Sequence, residues 1–79
     1  MGVYDEALTM ITTWIETNMG LPADTVSPDA RLAHLGFDYL LGEELSTAIE
    51  MKFGVDVLDT MIEEGATVGQ LAKAAASAS

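Results

Sequence analysis

Apolar residues at Tyr4, Ala7, Leu8, Ile11, Trp14 and Ile15 recur with a helical period, while Asp5, Glu6, Thr9, Thr12 and Glu16 fall outside the stripe. The spacing predicts a helix from about Val3 to Asn18. Gly20 is placed to stop it, and Pro22 discourages continuation. Residues 21–38 then lose all periodicity. Pro22, Pro28 and several Asp, Ser and Thr residues mark a long connection built of turns. A loop of that length must pack down or serve a function. Leu21, Val26, Leu32 and Leu35 are its expected anchors in the core, and Gly36 permits a sharp turn before the next element.

Periodicity returns after Asp38, whose carboxylate is suited to capping the free amides of a helix. That helix is expected from Tyr39 to about Phe53, with Leu41, Leu45, Ala48, Ile49 and Phe53 as its core stripe. A second stripe, Leu40, Glu44, Thr47 and Met51, lies roughly 130° from the first at about 100° per residue. Apolar side chains beside a carboxylate on an outward face read as a docking strip; the plain alternative is scattered surface apolars. Gly54 ends the helix. Val55 and Val57 lead to a short segment, Asp59 to Glu64, stopped by Gly65. Thr67-Val68-Gly69-Gln70 has the form of a capping box. It starts a last helix with Val68, Leu71, Ala72 and Ala75 inward, and Ser77 to Ser79 are expected to fray. The pattern predicts an all-α bundle: three main helices, one short helix and a long first loop.

Composition narrows the reading. The 79 residues allow one small domain, 1–79. A chain of this size buries only about 60% of its unfolded surface, which leaves no room for a deep enclosed active site. Hydrophobic residues make up 49%, too many for disorder even at a net charge of −10. No cysteine is present, which excludes disulfides and cysteine-based zinc sites and fits a cytoplasmic setting. No apolar run is long enough to span a membrane, and no secretory signal opens the chain. The start at Met1-Gly2 leans slightly towards a separate protein over an excised domain. Thirteen acidic residues face three basic ones. Nucleic acid and anionic membranes are therefore poor partners, and basic patches on other proteins are good ones. The competing reading is that the charge serves solubility alone.

The candidate chemistry is sparse. His34 is the only histidine, so it reads as a solvent-facing loop residue and not a metal ligand. Glu43 and Glu44 are adjacent and do not share a helix face, which makes them a poor acid–base pair. Asp56, Asp59, Glu63 and Glu64 lack the spacing of a calcium loop and read as a solvated acidic face. Trp14 is expected to pack in the core or beside the loop. With no nucleophile–base pair, phosphate loop or metal motif, an enzyme is not expected.

One string carries more. Residues 32–45 read Leu-Ala-His-Leu-Gly-Phe-Asp-Tyr-Leu-Leu-Gly-Glu-Glu-Leu. This resembles the signature of acyl and peptidyl carrier proteins, in which Leu-Gly, a spacer and Asp-Ser-Leu precede Glu-Leu. The resemblance extends through Gly20-Leu21-Pro22-Ala23-Asp24, Ser27-Pro28-Asp29-Ala30, Phe53-Gly54-Val55 and Thr67-Val68. The wording from Leu21 to Leu40 is most similar to carrier domains of bacterial polyketide and related synthases. It implies a four-helix fold and a non-catalytic protein. In the family, the serine at the start of the second helix carries a 4'-phosphopantetheine arm, and its phosphodiester lies at the positive end of that helix. Here Tyr39 stands in that position. Its hydroxyl projects several ångströms farther than a serine oxygen. Misplacement by about 1 Å already costs roughly 100-fold in rate, so Tyr39 is expected to stay unmodified. Ser46 lies two turns into the helix, and Ser27 has no matching context. Leu41 and Leu58 depart from the family pattern without disturbing the fold.

The resemblance also implies that partners dock basic patches on the second helix. Residues 38–64 hold Asp38, Glu43, Glu44, Glu50, Asp56, Asp59, Glu63 and Glu64, with Lys52 as the sole basic residue. The leading expectation is a pseudo-carrier: a monomeric docking or scaffold module that holds no cofactor or metal. It would bind synthase, transferase or tailoring enzymes through Asp38, Leu40, Glu43, Glu44, Thr47, Glu50 and Met51, with Tyr39 as a candidate aromatic anchor. The alternatives are a genuine acyl carrier, with its attachment serine substituted or with Tyr39 modified after all, and a noncovalent binder of acyl chains in the groove between helices.

Overall fold

The computed structural model describes residues 2–63 and 65–77. Four α-helices follow in order: α1 (Val3–Met19), α2 (Tyr39–Phe53), α3 (Leu58–Met61) and α4 (Val68–Ala76), with a 3-10 turn at Leu32–Leu35 before α2. The described residues contain no strand, only an isolated antiparallel bridge between Arg31 and Thr67. The all-α expectation holds.

The ends of α1 follow the chain's own chemistry. Gly20 adopts the left-handed conformation, φ 70°, and donates its backbone N–H to the Glu16 carbonyl. The helix therefore runs one residue beyond the expected Asn18. Its inward face is Ala7, Ile11 and Ile15, all fully buried. These pack chiefly on α4, whose Val68, Leu71, Ala72 and Ala75 are buried as the sequence pattern predicts. Alanines on that face let the two backbones approach closely. The capping box is formed: Gln70 N donates to Thr67 Oγ1 at 3.1 Å, and Thr67 N donates to Gln70 Oε1 at 2.9 Å. Just past the helix end, the Ser77 hydroxyl donates to the Ala74 carbonyl at 2.8 Å. Ala78 and Ser79 lie outside the described residues.

The long connection is held at both ends. Glu16 Oε2 accepts from Thr25 N and Val26 N at 3.1 and 3.2 Å, fastening the loop to α1. Farther on, Leu32 N donates to the Ala66 carbonyl at 2.9 Å, Val68 N to that of Ala30 at 3.0 Å, and Gly69 N to that of Pro28 at 2.8 Å. Val26 and Leu32 are buried anchors, while Leu21 and Leu35 are only partly buried against the core. Phe37, which the sequence pattern does not single out, is a further anchor. It stacks on Trp14 with centroids 6.4 Å apart and ring planes 10° from parallel.

Two expectations require correction. In α2 the fully buried face is Gly42, Leu45, Ser46 and Ile49, whereas Leu41 and Ala48 are half-buried. The inward face is turned towards α3 because Gly42 has no side chain and Met61 fills that space. A Cβ at residue 42 would stand 3.2 Å from Met61 Sδ. The short helix spans Leu58–Met61, not Asp59–Glu64. Asp56 Oδ1 accepts from Leu58 N at 3.0 Å and turns the chain into the helix early. Glu64, the expected end of that segment, lies outside the described residues.

Candidate functional site

The site begins at the N-terminus of α2. Asp38 Oδ1 accepts from Leu41 N at 2.8 Å, so its carboxylate is engaged as a cap. That bond sets the first turn and points Tyr39 outward, 72% exposed. Glu43 lies one turn on and is half-buried. Hydrogen bonding to the Glu43 carboxylate, and then its negative charge, raise the Tyr39 phenol above its ordinary pKa of 10.0. The effect favours the neutral phenol.

Other expected docking residues divide into groups. Leu40 and Met51 are 62% and 83% exposed. Eleven positions apart, they stand about 16 Å from each other along the axis at about 1.5 Å per residue. They do not form one apolar patch. Glu44, Thr47 and Glu50 are exposed. Glu43, Thr47 and Glu50 share the wall of a trough of about 300 Å³ with Ser46, Asp56 and Leu58.

A second depression, of about 310 Å³, opens beside Tyr39 between α2, α3 and the 3-10 turn, with Leu32, Phe37, Gly42, Leu58 and Met61 in its wall. Asp38, Ile62 and Glu63 also border it. Ile62 is 69% exposed and enlarges the apolar surface around Tyr39 and Leu40. Sequence reasoning passed over Ile62, Gly42 and Met61. The one available signal was a glycine inside a helix, which implies close packing at that point. A third groove, of about 590 Å³, runs along α1 past Met10 and Trp14 to Lys52 and includes none of the expected site residues.

Of the other hydroxyls considered, Ser46 is only 7% exposed and Ser27 accepts from Asp29 N at 3.1 Å within the loop. His34 is exposed, as expected. The described residues contain no grouping of His, Cys, Asp or Glu able to hold a metal ion.

Four helices, a long clasped loop and an exposed face at the start of α2 define a carrier-type bundle. Residues 11–75 match the family described as the phosphopantetheine attachment site, and the chain belongs to that family. Comparison with curated proteins and with solved structures finds no match. Domains of this family are typically non-catalytic and interact with synthases and other biosynthetic enzymes.

Proposed function

We propose that this protein is a pseudo-carrier: a docking or scaffold module of polyketide, fatty-acid or peptide-type biosynthesis that takes no phosphopantetheine arm at Tyr39. The observation that carries this reading is the identity of the residue that opens α2. Tyr39, 72% exposed, sits where the resemblance places the attachment serine, and a phenol oxygen projects several ångströms farther from the backbone than a serine oxygen. A transferase shaped for a serine oxygen would meet the phenol oxygen out of place, and misplacement by about 1 Å already costs roughly 100-fold in rate. The family's arm therefore does not fit here in the ordinary way. The exposed face of α2 remains available to basic patches on partner enzymes, and the module itself catalyses nothing. A net charge of −10 opposes self-association and supports a monomer.

The test is intact mass after incubation with coenzyme A and a promiscuous phosphopantetheinyl transferase, with Tyr39→Ser treated in parallel. The expected result is arm attachment to the serine variant alone. Attachment to the unaltered chain overturns the reading and makes this a working carrier. A second reading, a noncovalent acyl-chain binder, draws support from the apolar cavity beside Tyr39. Native mass spectrometry with added fatty acids tests it, and absence of any complex counts against it.

A further inference from the structure

Within α3, Met61 alone is buried, while Leu58 and Thr60 are half-buried and Asp59 is exposed. The Met61 sulfur fills the notch left by Gly42, where a Cβ would lie 3.2 Å from Sδ. Met61 also lines the cavity of about 310 Å³ beside Tyr39, so the thioether borders an opening to solvent. Leu32, Phe37 and Leu58 share that wall, and none of them carries a side-chain hydrogen-bond donor. The backbone amides of Gly42 and Met61 are already engaged by the Asp38 and Val57 carbonyls. The other described methionines differ. Met51 is 83% exposed, and Met10 and Met19 on α1 are half-buried.

We propose that Met61 is an oxidative modification site, and that its sulfoxide releases α3 from α2. The oxidant is hydrogen peroxide, small enough to enter the cavity. A lone pair of the sulfur attacks one peroxide oxygen, the O–O bond breaks, a sulfur–oxygen bond forms and water leaves. Sulfur is oxidised by two electrons and the peroxide is reduced by two. An oxygen added to Met51 projects into water and leaves the packing alone. One added to Met61 enters a filled notch, makes an apolar group polar and meets no free donor in the surrounding wall. The four residues of α3 offer no second buried side chain to hold the helix in place, so the whole element is released. Leu58 of α3 borders both the cavity and the acidic trough, so both change shape together. Methionine sulfoxide reductases restore the thioether and close the cycle. The device works whether or not Tyr39 carries an arm.

The test is graded hydrogen peroxide treatment of the full chain, with sulfoxide located by peptide mass mapping and amide hydrogen exchange followed by ¹⁵N NMR. Met51 sulfoxide is expected first, with exchange unchanged. The Met61 and Ile62 amides donate to the Val57 and Leu58 carbonyls and report on α3 directly. In molecules that also carry Met61 sulfoxide they should exchange at least about tenfold faster, while the Ile15 and Leu71 amides stay slow. Treatment with reductases for both sulfoxide epimers should restore slow exchange. Met61→Leu should abolish the response, and Met51→Leu should keep it. If Met61→Leu does not retain its helical circular dichroism, Met61→Gln replaces it, and its polar amide should speed the same two amides without peroxide. Met61 that reacts only after the chain is unfolded in urea overturns the proposal. So does Met61 sulfoxide with unchanged exchange, equal acceleration in all four helices, or a response that survives in Met61→Leu.

Discussion

The half of the molecule built from α1 and α4 differs sharply from the half built from α2 and α3. In the first, a 17-residue helix lies against a capped helix with an alanine-rich face. The connection between α1 and α2 is hydrogen-bonded to both of these helices. In the second, α3 is a four-residue helix, Met61 occupies the space beside Gly42, and Tyr39, Leu40, Met51 and Ile62 stand exposed. The two halves share one core, to which α2 gives the fully buried Leu45 and Ile49, and the proposed docking surface lies on the second. A thinly packed element opens and adjusts at lower free energy than a core helix, which suits the docking role proposed for this surface.

The sharpest way to break this comparison is a core truncation. Ile11→Ala removes a fully buried side chain and should cost about 2–5 kcal/mol, whereas Ile62→Ala should stay within about 0.5 kcal/mol. Urea denaturation checks both, and comparable losses would erase the division. Caps come next. Thr67→Ala removes a reciprocal box beside the Arg31 bridge and should cost about 1–2 kcal/mol, against about 0.5–1 kcal/mol for Asp38→Ala. A reversed order in thermal melts would move the more critical cap to the half built from α2 and α3. Tyr39→Ala should change stability by less than about 0.5 kcal/mol while weakening binding to a partner enzyme. Unchanged affinity by calorimetry removes the tyrosine from the docking surface.

The smallest effect is a titration. The folded pKa of Tyr39 is raised, so stability from its contact with Glu43 is present below the unfolded value of 10.0 and fades as pH rises through the folded one. In a Tyr4→Phe background, ultraviolet absorbance should follow the Tyr39 phenolate directly. Glu43→Gln should shift that midpoint downward. An unmoved midpoint would show that the carboxylate does not hold the phenol.

Much of the packed half was legible from spacing alone. The stripe of α1, the left-handed stop at Gly20 and the Thr67–Gln70 box all depend on residues within a few positions of one another. Local sterics and hydrogen bonding settle such features without help from the rest of the chain. The half built from α2 and α3 is less legible. The Asp38 cap is visible in the sequence, but periodicity places the core face of α2 on Leu41 and Ala48 when the buried positions include Gly42 and Ser46. It also draws the docking strip as continuous, although Leu40 and Met51 stand at opposite ends of the helix.

The sequence by itself determined an all-α bundle, the limits of its long helices, an acidic second helix and a tyrosine at the start of that helix. Tertiary structure decided how α2 is rotated, because Met61 occupies the space beside Gly42. It also placed Ile62 beside Tyr39 and gave Leu58 two cavities to divide. Those outcomes depend on contacts between segments far apart in the chain, and periodicity carries no information about which distant side chain fills a given space.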